Sequence, residues 1–218
     1  MDTVPFVASN RPRTLVAAID EREVAAMVIG PWAEPVTPWA RADVSENPLV
    51  PLWELVEELG VDFDRISAAC DVRDRAELAV ELARQSLRPA RVAGVTELAA
   101  RSVVESRGIE LVLSLGERFG AALFVDGVAW PSFALGAHRF RKGMTYAEYL
   151  AGDVADRLGR RKWNKRALRA VEQLLAVFAP RKLYVTGRDA ALVHDEPTER
   201  VEVVREDRAL AGAIALWR

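Results

Sequence analysis

Residues 110–130 read ELVLSLGERFGAALFVDGVAW, and this stretch decides the fold. Glu110 to Leu115 and Ala121 to Val125 are apolar runs of β-prone residues, which predicts two strands. Asp126-Gly127 follows and precedes the apolar run Val128 to Trp130. Because Asp-Gly between apolar runs is the strongest short signal of a β-hairpin, the stretch predicts three consecutive strands joined by turns.

The first half of the chain opens in the same way. Thr14 to Ile19 and Val24 to Ile29 are β-prone runs separated by the charged residues 20–23, and a third strand is expected over Glu34 to Arg41. Helices and strands alternate afterwards in both halves. The predicted helices cover 47–60, 74–87, 96–106, 145–161 and 165–178, and a final helix is capped by Asp207. The predicted strands between them cover 66–70, 90–93, 182–186 and 201–204.

This repeated order predicts a duplicated α/β architecture with two lobes and a cleft between them. The expected lobes are residues 1–107 and 108–218, and the last helix either stays in the second lobe or returns to the first. The cleft is the expected ligand site, since ligands favour concave surfaces between domains.

Composition excludes several classes of protein. The 218 residues are 50% hydrophobic and 28% charged, which is ordinary for a folded globular protein. Thirty Lys and Arg against 32 Asp and Glu give a net charge of -2, so binding to nucleic acid is not expected. Cys70 is the single cysteine and only His138 and His194 accompany it, which excludes an internal disulfide and a four-ligand Cys/His zinc site. No apolar run reaches the length of a membrane span and the start MDTVPFVASNRPR has no signal-peptide core, so a cytoplasmic location is expected.

Over nearly its whole length, and most specifically from Gly108 to Gly187, the chain resembles the ROK sugar kinases, most of all the branch of bacterial polyphosphate glucokinase. Residues 111–137 lie where that family has a strand, a Gly-Thr-Gly-x-Gly turn, a hairpin and a Glu-x-Gly-His motif. Residues 162–187 look like the family's long helix and its second glycine-rich turn. The resemblance implies the duplicated actin-like ATPase fold, which is ribonuclease H-like, and implies sugar phosphorylation as the family's activity.

The positions that would bind the nucleotide phosphates are degenerate. The family's first turn is Asp-x-Gly-Gly-Thr, and its last three positions correspond here to Asp20, Glu21 and Arg22. The second turn corresponds to Gly116, Glu117, Arg118, Phe119 and Gly120, and the third begins at Gly187. Carboxylates and full side chains where backbone amides should approach a phosphate predict that these turns do not hold a nucleotide.

The positions for catalysis and sugar binding are degenerate as well. Gly94 and Val95 stand where the family has its Asn-Asp pair, whose Asp is the catalytic base, and Glu97 is the nearest carboxylate. No catalytic residue is therefore assigned, with Glu97 as a weak candidate. The Glu-x-Gly-His motif corresponds to Ala134, Leu135, Gly136 and Ala137, which leaves His138 as the one imidazole nearby. No metal ligand is expected.

These residues support three hypotheses. The first is a catalytically inactive ROK-like protein that acts through binding, as a homodimer or with another protein, and without a cofactor. The alternative is a divergent sugar kinase that transfers phosphate from ATP or polyphosphate to a hexose, with Asp20 or Glu21 holding Mg²⁺ and Glu97 acting as base. The third is a sensor of a small molecule or polyanion that uses the cleft.

Two surface features bear on partners. A basic cluster formed by Arg157, Arg160, Arg161, Lys162 and Lys165 could bind a polyanion, although interleaved Asp153 and Asp156 favour a solvated helix face. Core packing is expected for Trp53, Trp130, Trp163 and Trp217. Trp32 and Trp39 lie among prolines, and we expect a dimer interface that is centred on Trp39 and Trp163.

Overall fold

The structure is a computed structural model that describes residues 12–71, 74–131, 133–194, 199–204 and 209–218. The helix cap expected at Asp207 lies outside these residues. Contacts divide the chain into two compact units, residues 1–95 with 210–218 and residues 96–209. These units are defined by contacts within the chain. The boundary expected between residues 107 and 108 separates the two halves with the repeated order of elements, and it stays a prediction.

The first unit is built on a five-stranded mixed sheet. Its strands are β1 (Thr14–Ile19), β2 (Glu23–Ile29), β3 (Ala40–Asp43), β4 (Arg65–Cys70) and β5 (Ala90–Ala93). The order is β3-β2-β1-β4-β5; β1 is antiparallel to β2 and parallel to β4. Helix α1 (Leu49–Leu59) connects β3 to β4, α2 (Arg75–Ser86) connects β4 to β5, and α3 (Val95–Ala100) follows β5.

The second unit repeats this topology. Its strands are β6 (Ile109–Ser114), β7 (Gly120–Val125), β8 (Val128–Ala129), β11 (Lys182–Thr186) and β12 (Val201–Val203). The order β12-β11-β6-β7-β8 again places two antiparallel strands on one side of the first strand and two parallel strands on the other. A small hairpin of β9 (Arg139–Arg141) and β10 (Met144–Thr145) precedes helices α4 (Tyr146–Leu150), α5 (Val154–Leu158) and α6 (Arg160–Phe178). Helix α7 (Ala209–Ala215) ends the chain and packs with the first unit.

Each unit has its own apolar core. In the first, buried residues of β1, β2 and β4 pack against Leu52 of α1 and Leu82 of α2, which are both fully buried. In the second, α4 to α6 cover one face of the sheet, and Trp163 lies fully buried there among Leu111, Leu113 and Leu183. The duplicated α/β fold expected from the sequence is thereby confirmed in its strand order.

The element boundaries differ from expectation at four places. Helix α6, expected from residue 165, starts at Arg160. The third strand starts at Ala40 instead of Glu34, because Pro35 and Pro38 interrupt the pairing and leave one isolated bridge between Ile29 and Pro35. Helix α3 ends at Ala100 instead of residue 106. The helical region expected over 145–161 is two short helices with a break at residues 151–153.

Candidate functional site

The turn between β1 and β2 is closed by its own hydrogen bonds. The Asp20 amide donates to the Glu23 carbonyl over 3.0 Å, and the Arg22 amide donates to the Asp20 carboxylate over 3.3 Å. Glu21 and Arg22 are exposed, and none of residues 20–22 has a positive φ. The turn is thus a charged hairpin turn in ordinary backbone conformation, with an amide already bound to a carboxylate where a phosphate would need free amides.

The start of α3 carries the two positions expected to match the family's Asn-Asp pair. Gly94 precedes the helix and Val95 opens it, with the Val95 side chain exposed. A Cβ on Gly94 would lie 2.6 Å from the Arg75 guanidinium and 2.9 Å from the Asp71 carboxylate. Asp71 and Arg75 form an ion pair over 3.6 Å, and Asp71 accepts the Val95 amide over 3.0 Å. This ion pair fills the space that a longer side chain at position 94 would need.

Glu97, the weak catalytic candidate, is tied to its own helix. Its carboxylate accepts a hydrogen bond from Arg101 over 2.8 Å, and the two side chains are only 18% and 25% exposed. Arg101 also lies over the ring of Phe124, with 5.8 Å between the guanidinium carbon and the ring centroid. The Glu97 carboxylate is thus engaged by Arg101, four residues further along the chain.

In the turn from Gly116 to Gly120, the retained glycines contact protein. A Cβ on Gly120 would lie 1.9 Å from the Thr96 hydroxyl oxygen, so the space beside this glycine is occupied. Gly116 is buried, and its carbonyl accepts the Gly152 amide over 2.9 Å. Glu117 and Arg118 are exposed. Gly120 therefore has a structural reason to be present that does not involve a ligand, whereas a side chain at Gly116 would make only ordinary contacts with Arg188.

The turn at Gly187 packs against the end of β6. Gly187 has a φ of +93°, and a Cβ there would lie 2.5 Å from the Leu115 carbonyl oxygen. Arg188 next to it bonds the carboxylate of Asp189 over 2.9 Å, and Asp189 is buried. The hydrogen bond that Arg188 donates to Asp189, with the charges of Asp189, Asp156 and Glu117, raises the pKa of Arg188 above its ordinary value. The cation of this turn is thus surrounded by the protein's own carboxylates.

The positions expected to match the sugar-binding motif lie on one short segment. Leu135–Ala137 form a single 3₁₀ turn, with Ala134 and Ala137 exposed and Leu135 buried. A Cβ on Gly136 would lie 3.2 Å from the ring of Phe119. His138 is exposed, and its Nδ1 lies 3.3 Å from the Arg139 carbonyl oxygen. Methyl groups and one exposed imidazole offer little to bind sugar hydroxyls.

The donor sets of these turns do not fit a nucleotide with its magnesium ion. The carboxylates at the turn positions are those of Asp20, Glu21, Glu117 and Asp189. Asp20 accepts the Arg22 amide and Asp189 accepts the Arg188 guanidinium, whereas Glu21 and Glu117 are exposed. Across the described residues, three or more His, Cys, Asp or Glu side chains nowhere gather as they would around a metal ion. ATP and Mg²⁺ therefore belong to the alternative hypothesis alone.

The structure brings forward residues that the sequence did not single out. Asp71 and Arg75 are 23 and 19 residues from Gly94, and they meet it because β4 and β5 are adjacent parallel strands. A polar residue directly after a buried strand was the signal available for Asp71, since such residues gather at the carboxyl ends of parallel strands. Asp189 gave no comparable signal.

The basic cluster expected to bind a polyanion is exposed on α5 and α6. Arg157 pairs with Asp153 over 2.9 Å, and Arg160, Arg161, Lys162 and Lys165 are exposed. Arg161 and Lys162 lie four and three residues before Lys165, so these three residues share one side of α6. Trp32 is 73% exposed and Trp39 41%.

Two expectations about tryptophan are wrong. Trp163 was expected at a dimer interface, but its ring is fully buried and its Nε1 donates to the Leu150 carbonyl over 2.9 Å. Its place in the core excludes a surface role. Trp130 was expected in the core, yet it is 60% exposed because it follows the short edge strand β8.

The strand order of both units is that of the actin-like ATPase fold found in ROK-family sugar kinases, and solved structures confirm this resemblance. The polyphosphate/ATP-glucomannokinase of Arthrobacter sp. strain KM superposes with a TM-score of 0.73 at 14% identity, over 94% of this chain and 98% of that one. A ROK glucokinase of Streptomyces griseus, solved with glucose and AMPPNP, gives a TM-score of 0.69 at 13% identity, over 93% and 98%.

A third structure of this fold has a different role. It is a ROK-family transcriptional regulator, a homolog of the E. coli MLC protein, with a TM-score of 0.65 at 12% identity, over 94% of this chain and 77% of that one. By sequence, the chain matches no protein-family model and no curated protein. At these identities the comparisons establish the fold. Among the described helices, none combines the length and apolar character needed to span a membrane.

Proposed function

We propose that this chain is a catalytically inactive protein of the ROK sugar-kinase fold that acts through binding, as a homodimer or with another protein. The observation that carries the proposal is the start of α3, where Gly94 and Val95 stand at the positions expected for an Asn-Asp pair and the side-chain ends of Asp71 and Arg75 lie beside them. Phosphoryl transfer to a sugar hydroxyl needs a group that positions or accepts the hydroxyl proton. Neither glycine nor valine supplies one.

The turns support the same conclusion. The amide of Arg22 is bound to Asp20, and Arg188 is bound to Asp189, so groups that would contact phosphate are engaged internally. The ROK transcriptional regulator of the same fold indicates that this scaffold serves proteins other than kinases. A cytoplasmic location is part of the proposal and rests on the single cysteine, Cys70, which is buried.

Nucleotide binding tests the proposal directly. We expect no saturable change in thermal stability with millimolar ATP and magnesium. A ligand present at 100 times its dissociation constant would stabilise the fold by about 2.7 kcal/mol. A stabilisation of this size would contradict the proposal, and ADP without magnesium would show whether metal is required.

The alternative, a divergent hexose kinase, is favoured by the two kinases of the same fold and by the position of the Asp71 carboxylate. Coupled assays with glucose or mannose, and with ATP or polyphosphate, should detect no turnover if our proposal is right. If turnover is found, Asp71→Asn and Glu97→Gln identify its base, with Glu57→Gln on α1 as the matched control. Activity that is lost in either site variant and kept in the control would replace our proposal by the kinase.

A further inference from the structure

A cavity of about 310 Å³ lies in the second unit, between the β9–β10 hairpin and the second half of α6. Its walls come from residues 138–141 on one side and from Arg169, Gln173 and Val177 on the other. These three helical residues are spaced by four and share one face of α6. The volume is at the lower end of the range for small-molecule pockets, about 300–1,000 Å³.

The floor of the cavity is apolar and fixed. Leu135, Tyr146 and Leu174 line it and are buried in the core of the second unit. Tyr146 is stacked on Phe140 with 4.4 Å between ring centroids. Phe178, which also lines the cavity, packs edge-on against Phe133 at 5.5 Å. Rings held by such contacts form a preformed surface for a planar or short apolar group.

The rim of the cavity is cationic. Arg139 and Arg141 approach from β9, Arg169 approaches from α6, and the exposed His138 lies beside them. Among the described residues, no Asp or Glu lines the cavity. Elsewhere in this unit arginines are paired with carboxylates, as in Arg157 with Asp153 and Arg188 with Asp189. Three guanidinium groups around one apolar cavity therefore create a local positive potential, which favours an anion.

We propose that this cavity binds a small organic anion, with its apolar body on Tyr146 and Leu174 and its carboxylate or phosphate group on Arg139, Arg141 and Arg169. The size fits a compound with one ring, since the volume equals that of about ten water molecules at ~30 Å³ each. The site uses none of the glycine-turn residues, but it shares Leu135 and His138 with the segment expected to match the sugar-binding motif. Nucleotide-binding and kinase assays test the proposed function without reference to this cavity, so they and this binding test succeed or fail separately.

The test uses benzoate and phenyl phosphate as probes, with benzyl alcohol as a neutral analogue and inorganic phosphate as a bare anion. We expect saturable binding of at least one organic anion by calorimetry of the full chain. Binding should weaken with salt, and it should be at least tenfold weaker for benzyl alcohol and for inorganic phosphate. Comparison of the two organic probes shows which anionic group the arginines prefer.

Two variants place the binding in the cavity. Arg169→Met keeps the apolar stem and removes the charge, and it should weaken the probe about tenfold, since a charged hydrogen bond is worth this much or more. Arg161→Met, an exposed arginine on the same helix outside the cavity, should leave affinity unchanged. Gln173→Trp should fill the cavity and abolish binding.

Any one of three results would overturn the proposal. The first is no saturable binding of either organic anion, and the second is equal affinity for the neutral analogue. The third is an equal loss of affinity in Arg169→Met and Arg161→Met. Retention of the secondary structure of each variant, checked by circular dichroism, ensures that a lost signal reports the cavity. If the cavity instead seats a second copy of the chain, the monomer–dimer equilibrium will shift in Gln173→Trp while the probes fail to bind.

Discussion

Gly187 is needed by the fold of the second unit. With φ at +93° it has left-handed backbone, and the Leu115 carbonyl oxygen would lie 2.5 Å from a Cβ on this residue. A glycine in the place of a phosphate turn would ordinarily indicate a ligand. Here the packing against β6 explains the residue completely, so its retention is no argument for nucleotide binding.

A pair of alanine substitutions separates packing from backbone strain. Gly187→Ala should destabilise the protein by about 3 kcal/mol, because it adds a clash with backbone to the cost of a positive φ. Gly143→Ala has a similar φ of +78° with nothing within 4 Å of the new Cβ, and it should cost about 1 kcal/mol. Urea unfolding at pH 7 measures both. Equal costs would show that Leu115 yields to the methyl group and that the close approach is not required.

At the scale of elements, the chain's last helix is held by one buried hydroxyl. Ser67 on β4 is fully buried and donates to the Ala213 carbonyl of α7 over 2.8 Å. The hydroxyl oxygen of Ser67 also accepts a hydrogen bond from the indole N–H of Trp217 over 2.7 Å. The guanidinium carbons of Arg91 and Arg65 lie 4.6 and 5.1 Å from the centroid of that indole ring. One side chain thereby joins the helix and the residues after it to the centre of the first sheet.

Ser67→Ala should cost about 2 kcal/mol, since it leaves a carbonyl and an indole N–H without their partner in a largely buried place. Ser86→Ala is the control: that hydroxyl bonds the Leu82 carbonyl over 2.7 Å near the exposed end of α2. Its loss should cost less than about 0.5 kcal/mol, because water replaces the bond. Thermal unfolding followed by tryptophan fluorescence distinguishes the two, and similar costs would contradict the anchoring role of Ser67.

Helix α2 has a pH-dependent contact on its surface. Hydrogen bonds from Arg84 and then Gln85 lower the pKa of Glu81 to about 2. Because the folded pKa is depressed, the contact stabilises the helix above the ordinary pKa of glutamate, about 4.3, and is lost as pH falls toward 2. NMR titration of the Glu81 carboxyl should show the low value. In Arg84→Ala the pKa should rise toward the ordinary one, and an unchanged value would exclude Arg84 as the cause.

Local signals predicted elements well and boundaries less well. The caps at Asp74 and Thr145 are formed, with Asp74 accepting two amides of the first turn of α2 and Thr145 forming a full capping box with Glu148. Such signals act within four residues, so sequence shows them. The later start of β3 follows from Pro35 and Pro38, which interrupt strand pairing. Helix α3 ends at Ala100, and Val103 and Val104 after it pack against the cluster of Phe124 and Val112.

At the scale of the whole chain, the duplicated strand order was predictable because the order of elements repeats in the sequence. The candidate site was predictable only in part. The side chains at positions 94 and 95 follow from the sequence, but the Asp71–Arg75 pair beside them depends on the parallel pairing of β4 with β5. The cavity is a similar case, because Arg139 of the hairpin and Arg169 of α6 are distant in sequence and line the same cavity only in the folded chain. Contacts between segments that are distant in sequence produce no periodic pattern of residues from which they could be predicted.

An exposed tryptophan-containing segment beside the first sheet bears on self-association of the chain. The segment from Pro31 to Trp39 precedes the edge strand β3 and exposes Trp32, Val36 and Trp39 by 73%, 41% and 41%. Exposed indole rings next to a sheet edge are typical of interface anchors, and a two-fold dimer is the commonest homo-oligomer. We therefore expect a dimer of about 48 kDa, twice the 24.1 kDa chain, whose interface buries at least ~1,000 Å².

Light scattering after gel filtration at micromolar concentration measures this mass. Trp39→Ala should weaken the dimer by about 2 kcal/mol, roughly thirtyfold in dissociation constant, if the ring lies at the centre of the interface. Trp130→Ala is the matched control, because Trp130 is 60% exposed but belongs to the second unit and is distant from the segment in sequence. Trp163 no longer serves as a probe, since its substitution would open a cavity in the core. If the unaltered protein is a monomer, the dimer is rejected and binding to a different protein remains as the form of the proposal. If Trp39→Ala and Trp130→Ala weaken the dimer equally, the interface is not centred on Trp39.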